Sequence, residues 1–429
     1  MSVVERRTEE LNNINVHFIK TKKFKTIYFV LKVKALLDKD NITKRAILPY
    51  MLRQGTKSYP SEVALQNKLD DLYGATLSLD GSKKGDYHVI SIRLEIANDK
   101  YIKGGESLVV DSLKLLHEII YEANSVNNGF DPNIFQREKQ TLKNSIESVI
   151  DDKMRYASMR IIDEMYKGER YSTRVHGYLE DLDVLNEKTL YEYYKNILAE
   201  NEMDLYVLGD YEEEEMTELI SKYFYQEEKP NPLLYEKDED KKIKDVQTVI
   251  EKQDINQAKL HLGYRTKYTI EDEEYFALQV FNGIFGGLPS SKLFLNVREK
   301  HSLAYYAASR IESLKGLMLV FSGIDAKDYD QTKEIIHEQL QSIQEGDFTE
   351  ENLAETKEQI INAILESLDN PDGMVETFYQ QGFTSKNFSE NQIIEGIKQV
   401  TKEDIIHIAN SVELDTVYLL TSKEGESND

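Results

Sequence analysis

The side chains able to do chemistry in this chain are few in kind. None of its 429 residues is cysteine, which closes off thiol nucleophiles, disulfides, iron–sulfur clusters and thiolate-bound zinc together. The histidines are His17, His88, His117, His176, His261, His301, His337 and His407. No two stand four apart, so neither H-E-x-x-H nor its inverse, H-x-x-E-H, occurs. His117-Glu118 and His337-Glu338 begin such a pattern, but one turn on the chain has Tyr121 and Gln341. Both read as helix histidines beside a glutamate rather than metal ligands. No G-x-S-x-G elbow, P-loop or G-x-G-x-x-G is present. The informative stretch is 281–306, FNGIFGGLPSSKLFLNVREKHSLAYY. Gly286 and Gly287 would break a helix, and Ser290-Ser291 would cap the next. That helix should run to about His301, with a strand over 303–308. Arg298 then lies near the helix end and Tyr305 at the strand start. A guanidinium and a phenol brought together there would donate hydrogen bonds to a substrate carbonyl or its oxyanion. On spacing alone the plainer alternative stands beside this: Arg298 paired with a nearby carboxylate, and Tyr305 half-buried.

The elements that must position these residues come in two similar sets. Residues 130–152, FDPNIFQREKQTLKNSIESVIDD, match 348–370, FTEENLAETKEQIINAILESLDN, at a shift of 218 positions. Phe130 falls on Phe348, Lys139 on Lys357, Ile146 on Ile364 and Asp151 on Asp369. A repeat this long marks a duplicated domain, not a solenoid. In the first copy, 24–33 is rich in β-branched and aromatic residues and reads as a strand. Residues 43–54 have helical spacing, with Pro49 inside as a source of a kink. A second helix is expected over 61–73. A hairpin is expected with strands at 76–79 and 87–95 around the turn Asp80-Gly81-Ser82-Lys83-Lys84-Gly85. Longer helices follow over 108–123 and 132–148, and a strand over 203–209 closes the copy. Strands with long helices in both copies predict an α+β protein of two homologous sandwich halves, each a mainly antiparallel sheet with helices on one face. The halves are drawn as 1–228 and 246–429. They are joined by a charged linker, 229–245, that holds Pro230 and Pro232.

A net charge of −24 argues against a nucleic-acid partner, since neutralising phosphates needs clustered Lys and Arg. No apolar run approaches the ~18 residues of a membrane span, and the first residues lack a signal-peptide apolar region. A cytoplasmic protein is the expectation.

The 281–306 stretch resembles the signature of the pitrilysin/insulinase-type zinc metallopeptidases, with their GG…SSxLFxxVREKxxLAY pattern. The two-copy plan and the FxxxxFxREK pattern at 130–139 are similar too. The resemblance spans about Phe24 to Leu420. It implies a fold like that of the mitochondrial processing peptidases, two halves forming a clamshell. The family's first half carries H-x-x-E-H followed by Met-Leu-x-x-Gly-Thr. Here the matching run is Ala46-Ile47-Leu48-Pro49-Tyr50-Met51-Leu52-Arg53-Gln54-Gly55-Thr56. The flanks are kept, while the ligand and base positions fall on Ala46, Pro49 and Tyr50, and the third ligand on or near Ser145. The resemblance therefore implies a chain with no metal and no cofactor of its own. More narrowly, it is similar to the zinc-lacking member of a paired set in Gram-positive bacteria, a group associated with modification of elongation factor P.

The leading functional reading is a non-catalytic subunit of a heterodimeric zinc peptidase. Its partner would be an H-x-x-E-H paralogue holding the zinc, its ligand an unfolded peptide, and Arg298 and Tyr305 would act in trans on the scissile carbonyl. The strand after Thr76 would offer an edge for peptide addition. The alternative is a peptide-binding or scaffold protein with no catalysis; the sequence leaves open whether the chain forms a homodimer in isolation. An enzyme with a relocated site is the third reading, and no compact cluster of His and carboxylates supports it.

Overall fold

A computed structural model of the chain describes residues 4–102, 107–231, 233, 243 and 245–423. The expected linker lies mostly outside these residues. The chain forms two compact units. The first comprises Met1–Ser148, Thr173–Leu234 and Pro371–Val375; the second comprises Val149–Ser172, Tyr235–Asn370 and Glu376–Asp429.

In chain order, the first repeat contains strands β1 (Glu5–Leu11), β2 (Ile14–Lys20) and β3 (Thr26–Leu36), helices α1 (Ile42–Leu52) and α2 (Glu62–Asp71), and strands β4 (Thr76–Lys84) and β5 (Tyr87–Ala97). Helices α3 (Leu108–Tyr121), α4 (Pro132–Asp151), α5 (Lys153–Met165), α6 (Leu179–Val184) and α7 (Glu187–Glu200), strand β6 (Glu202–Gly209) and helix α8 (Glu213–Tyr223) follow. The second repeat has β7 (Gln247–Gln253), β8 (Ala258–Arg265), α9 (Tyr275–Asn282), β9 (Ala304–Glu312), β10 (Leu317–Ile324), α10 (Tyr329–Gln344), α11 (Glu350–Leu368), α12 (Pro371–Gln381), α13 (Glu390–Gln399), α14 (Lys402–Ser411) and β11 (Glu413–Ser422).

The first sheet runs β1-β2-β6-β3-β5-β4 and the second β7-β11-β8-β10-β9. With β1 set aside, the orders correspond strand for strand. So do the senses: β2 with β6 and β7 with β11 are the parallel pairs, and the rest are antiparallel. The duplication read from 130–152 and 348–370 therefore extends to the topology. Alternation sets which face is buried. Ile27, Phe29, Leu31 and Val33 of β3 join the apolar core of the first unit, together with Ile47, Leu48, Leu113, Leu116 and Phe135 from α1, α3 and α4. In the second unit Leu260, Leu262, Met318 and Val320 meet Leu278, Phe281 and Ile336 of α9 and α10. Helices thus line one face of each sheet, as expected. The opposite face of the second sheet is covered by α5: Ala157, Ile161 and Met165 pack on Leu317, Leu319, Tyr418 and Leu420. Asp152 caps α5 by accepting from the amides of Met154 and Arg155, both at 3.1 Å.

One local expectation is corrected. The run Asp80–Gly85 is not a loop. Strands β4 and β5 stay paired from Thr76↔Glu95 to Lys84↔Tyr87, which leaves a two-residue turn at Gly85-Asp86. Gly85 supplies the positive φ such a turn requires, +53°. Gly81 lies within β4 because the His88 ring packs there: a Cβ would come within 2.9 Å of it.

Candidate functional site

Helix α1 carries Ala46, Pro49 and Tyr50, the positions onto which the resemblance maps a zinc site. Ala46 and Pro49 are buried on it, and Tyr50 is half-buried against the core. Ser145, half-buried on α4, accepts a hydrogen bond at its carbonyl from Ser148 Oγ at 2.8 Å. A methyl group and a proline ring offer no donor atom to a metal. Among the described residues no group of three or more His, Asp or Glu is placed to hold a metal ion. The residues present do not fit zinc. Around them the frame persists. Thr56 Oγ1 donates to Glu118 at 2.7 Å, and the His117 ring donates from Nδ1 to the Tyr223 carbonyl at 2.6 Å. Both members of the His117-Glu118 pair are thus bound into the packing of α3.

The residue before Ala46 carries a feature the spacing did not flag. Arg45 is 2 % exposed. Its guanidinium donates to His88 Nδ1 at 3.1 Å, to the Val33 carbonyl at 2.8 Å and to Asn201. A charged residue on the apolar stripe Ile42, Arg45-Ala46, Pro49, Leu52 was the available signal. Burial, then the Arg45 and His176 charges, push the His88 imidazole down to about 3. In β2 and β6, His17 donates or accepts at Thr8 Oγ1 (3.0 Å) and bonds Asp204 at 2.9 Å, with Tyr206 stacked on its ring at 4.2 Å. Burial raises the Asp204 carboxyl, but the His17 hydrogen bond and the charges of His17 and Lys34 outweigh it, and the net shift is downward. This set ties β1, β2 and β6 together.

In the second unit, Gly286 and Gly287 end a wide helical turn over Gly283–Gly287, and Leu288 is extended. Ser291 Oγ accepts from the Phe294 amide at 3.4 Å, whereas Ser290 turns to Gln359. Arg298 lies in the helical turn Phe294–Lys300, with its guanidinium 4.6 Å from the Phe294 ring centre and its Nε 3.5 Å from Glu299. Tyr305 is the second residue of β9 and is 72 % exposed. Both side chains reach solvent, with no hydrogen bond between them among the described residues. β9 is the edge of its sheet, and β4 is the corresponding edge of the first.

These features can be set beside known proteins. The description "Peptidase M16 inactive domain" matches residues 185–360. The chain is 44% identical over 427 residues to the "Probable inactive metalloprotease YmfF" of Bacillus subtilis, covering 100% of both chains. The chain belongs to the peptidase M16 family. Both the matched domain and the B. subtilis relative are described as inactive. A second B. subtilis protein, "Uncharacterized zinc protease YmxG", is 26% identical over 295 residues, 67% of each chain. A solved structure, a conserved protein from Enterococcus faecalis V583, superposes with a TM-score of 0.90 at 33% identity, over 99% of this chain and all of that one. No helix among the described residues is long and apolar enough to cross a membrane.

Proposed function

We propose that this M16 protein is the non-catalytic subunit of a two-chain zinc peptidase. The partner, an H-x-x-E-H-bearing paralogue, carries the zinc and the general base. This chain holds a segment of unfolded peptide along an exposed strand edge and supplies Arg298 and Tyr305 to the scissile carbonyl. The observation that carries the reading is the contrast between its two halves. Helix α1 keeps its frame with Ala46, Pro49 and Tyr50 in place of ligands, while Arg298 and Tyr305 remain solvent-facing at the mouth of an edge strand. Two hydrogen-bond donors there suit a developing oxyanion. A zinc-protease relative beside an inactive one in B. subtilis supports a pairing of this kind. The division into halves 1–228 and 246–429 with a linker at 229–245, and a cytoplasmic setting, belong to the same reading.

The test mixes the purified chain with an H-x-x-E-H-bearing M16 protein of its own organism and follows an unstructured fluorogenic peptide. Neither chain alone cleaves; the mixture does. Arg298→Ala in this chain lowers kcat of the mixture by about 100-fold, the loss seen when one oxyanion donor is removed. An unchanged rate refutes the in-trans role. The second reading, a peptide-binding scaffold without catalysis, is favoured by one contact, the Arg298 guanidinium lying against Phe294 and Glu299. It predicts peptide binding and no cleavage in any mixture.

A further inference from the structure

The second unit contains a cavity that neither sheet edge uses. It lies in the helical layer and has a volume of about 330 Å³. Phe276, Leu288, Ile360, Ile364, Phe388 and Ile397 form its apolar wall. That is the small end of the roughly 300–1,000 Å³ range of ligand sites, room for one or two side chains and not for a nucleotide cofactor. Gln381 also lines it and is 6 % exposed, and its Oε1 is buried with no hydrogen-bond partner. Phe276 and Phe388, whose ring centres are 5.2 Å apart, also floor an adjoining open groove of about 650 Å³. That groove is bordered by Glu273, Glu274, Glu395 and Asp404. Glu395 pairs with Lys398 at 2.8 Å, and Asp404 accepts from the Thr401 amide and hydroxyl, both at 2.8 Å. Glu273 and Glu274 have no ion-pair partner among the described residues. Neither lining contains a lysine or arginine.

From this juxtaposition we propose a docking site for a basic segment of a partner protein. A bulky aromatic or branched side chain fills the cavity, and flanking Lys or Arg lie against Glu273 and Glu274. The apolar wall selects the anchor. The unpaired carboxylates reject acidic head groups, which excludes fatty acids and phosphates. The chain's net charge of −24 adds long-range attraction for a cationic partner. The site is independent of the strand edges, so it stands or falls apart from the peptidase reading.

The test uses full-length protein labelled at isoleucine methyl groups and the peptide Lys-Phe-Lys-Lys, with Lys-Ala-Lys-Lys and Glu-Phe-Glu-Glu as controls. Lys-Phe-Lys-Lys shifts the methyl signals of Ile360, Ile364 and Ile397 saturably, and first-unit methyls stay still. Each control binds at least tenfold more weakly. Glu273→Gln with Glu274→Gln weakens Lys-Phe-Lys-Lys by about two- to thirtyfold, as for two rim charges, and added salt does the same. Ile364→Trp fills the cavity and abolishes the shifts at the remaining methyls. Should that variant not fold, the methyl map and the glutamine variants decide. Binding that leaves these methyls unmoved, equal binding of either control, or stronger shifts with decanoate than with the peptide overturns the proposal.

Discussion

His261 offers a sharp test of the packing between α5 and the second sheet. It lies in β8, with Nε2 buried and unpartnered and Nδ1 3.5 Å from Ser158 Oγ on α5. Burial, then the charges of Arg310 and Lys259, lower its imidazole from 6.5 to about 3. A folded value below the unfolded one means that protons bind the unfolded state first, so stability is lost as pH falls through 6.5 toward 3. Between pH 7 and pH 5 those two values give a loss of about 2 kcal/mol from this one side chain. Glu251, the strongly lowered carboxylate of the same unit, keeps its stabilisation above about 4.5, so this pH window isolates the imidazole. Replacing His261 by leucine removes the titration while keeping similar bulk. At pH 7 the variant should lie within about 1 kcal/mol of the parent. Hydrogen exchange read by mass spectrometry on β8 and β10 peptides, corrected for intrinsic rates, is the assay. On going from pH 7 to pH 5 the parent should lose roughly 25-fold more protection than His261→Leu, the same 2 kcal/mol expressed as a ratio. Any contribution from His88 in the other unit appears in both proteins and cancels. Equal losses in parent and variant would refute the claim that His261 is held neutral beneath α5.

Three further outcomes are expected. Arg45→Met leaves His88 Nδ1, Asn201 and the Val33 carbonyl without this donor and costs about 1–3 kcal/mol for each acceptor left buried and unmade, read as an earlier urea transition by far-UV circular dichroism, the chain having no tryptophan. Burial raises the Glu251 carboxyl, but hydrogen bonds from Tyr156, Gln253, Tyr418 and Arg160 bring it down to about 2; Arg160→Met should therefore flatten the loss of stability between pH 4.5 and 2 in acid titrations followed by the same signal. Purified chain should contain no stoichiometric zinc by elemental analysis, and EDTA should leave its melting temperature unchanged; a metal-dependent melt would contradict the unfit donor set on α1.

Much of the fold was legible because it rests on local signals: β-branched and aromatic runs such as 24–33, the amphipathic helices, and a repeat with its own register. The helix over 43–54 was legible from its spacing, and the structure places Ala46, Pro49 and Tyr50 on it. What escaped depends on partners distant in sequence. Gly81 follows an aspartate and reads as a turn; its reason is the ring of His88 across the hairpin. Arg45 stands on the apolar stripe of α1, but the acceptors that hold it, Val33 and Asn201, come from elsewhere in the chain. The cavity at Phe276 and Phe388 draws its wall from α9, α11, α12 and α13, and no single window of sequence contains it.

The membership of the two units has a consequence for how the chain is made. Val149–Ser172 is synthesised with the first repeat but belongs to the second unit, while Pro371–Val375 emerges late and belongs to the first. There Asp372 accepts from Arg93 at 2.8 Å and from Tyr28 at 3.0 Å. A ribosome that has delivered the whole first sheet still holds back the carboxylate that Arg93 and Tyr28 need. Meanwhile α5 waits with its apolar stripe uncovered until β8, β10 and β11 exist. Neither unit can finish before residue 375 is out, so the order of translation is not the order of folding, and a nascent chain paused in the middle of the second repeat carries two incomplete units rather than one finished and one begun.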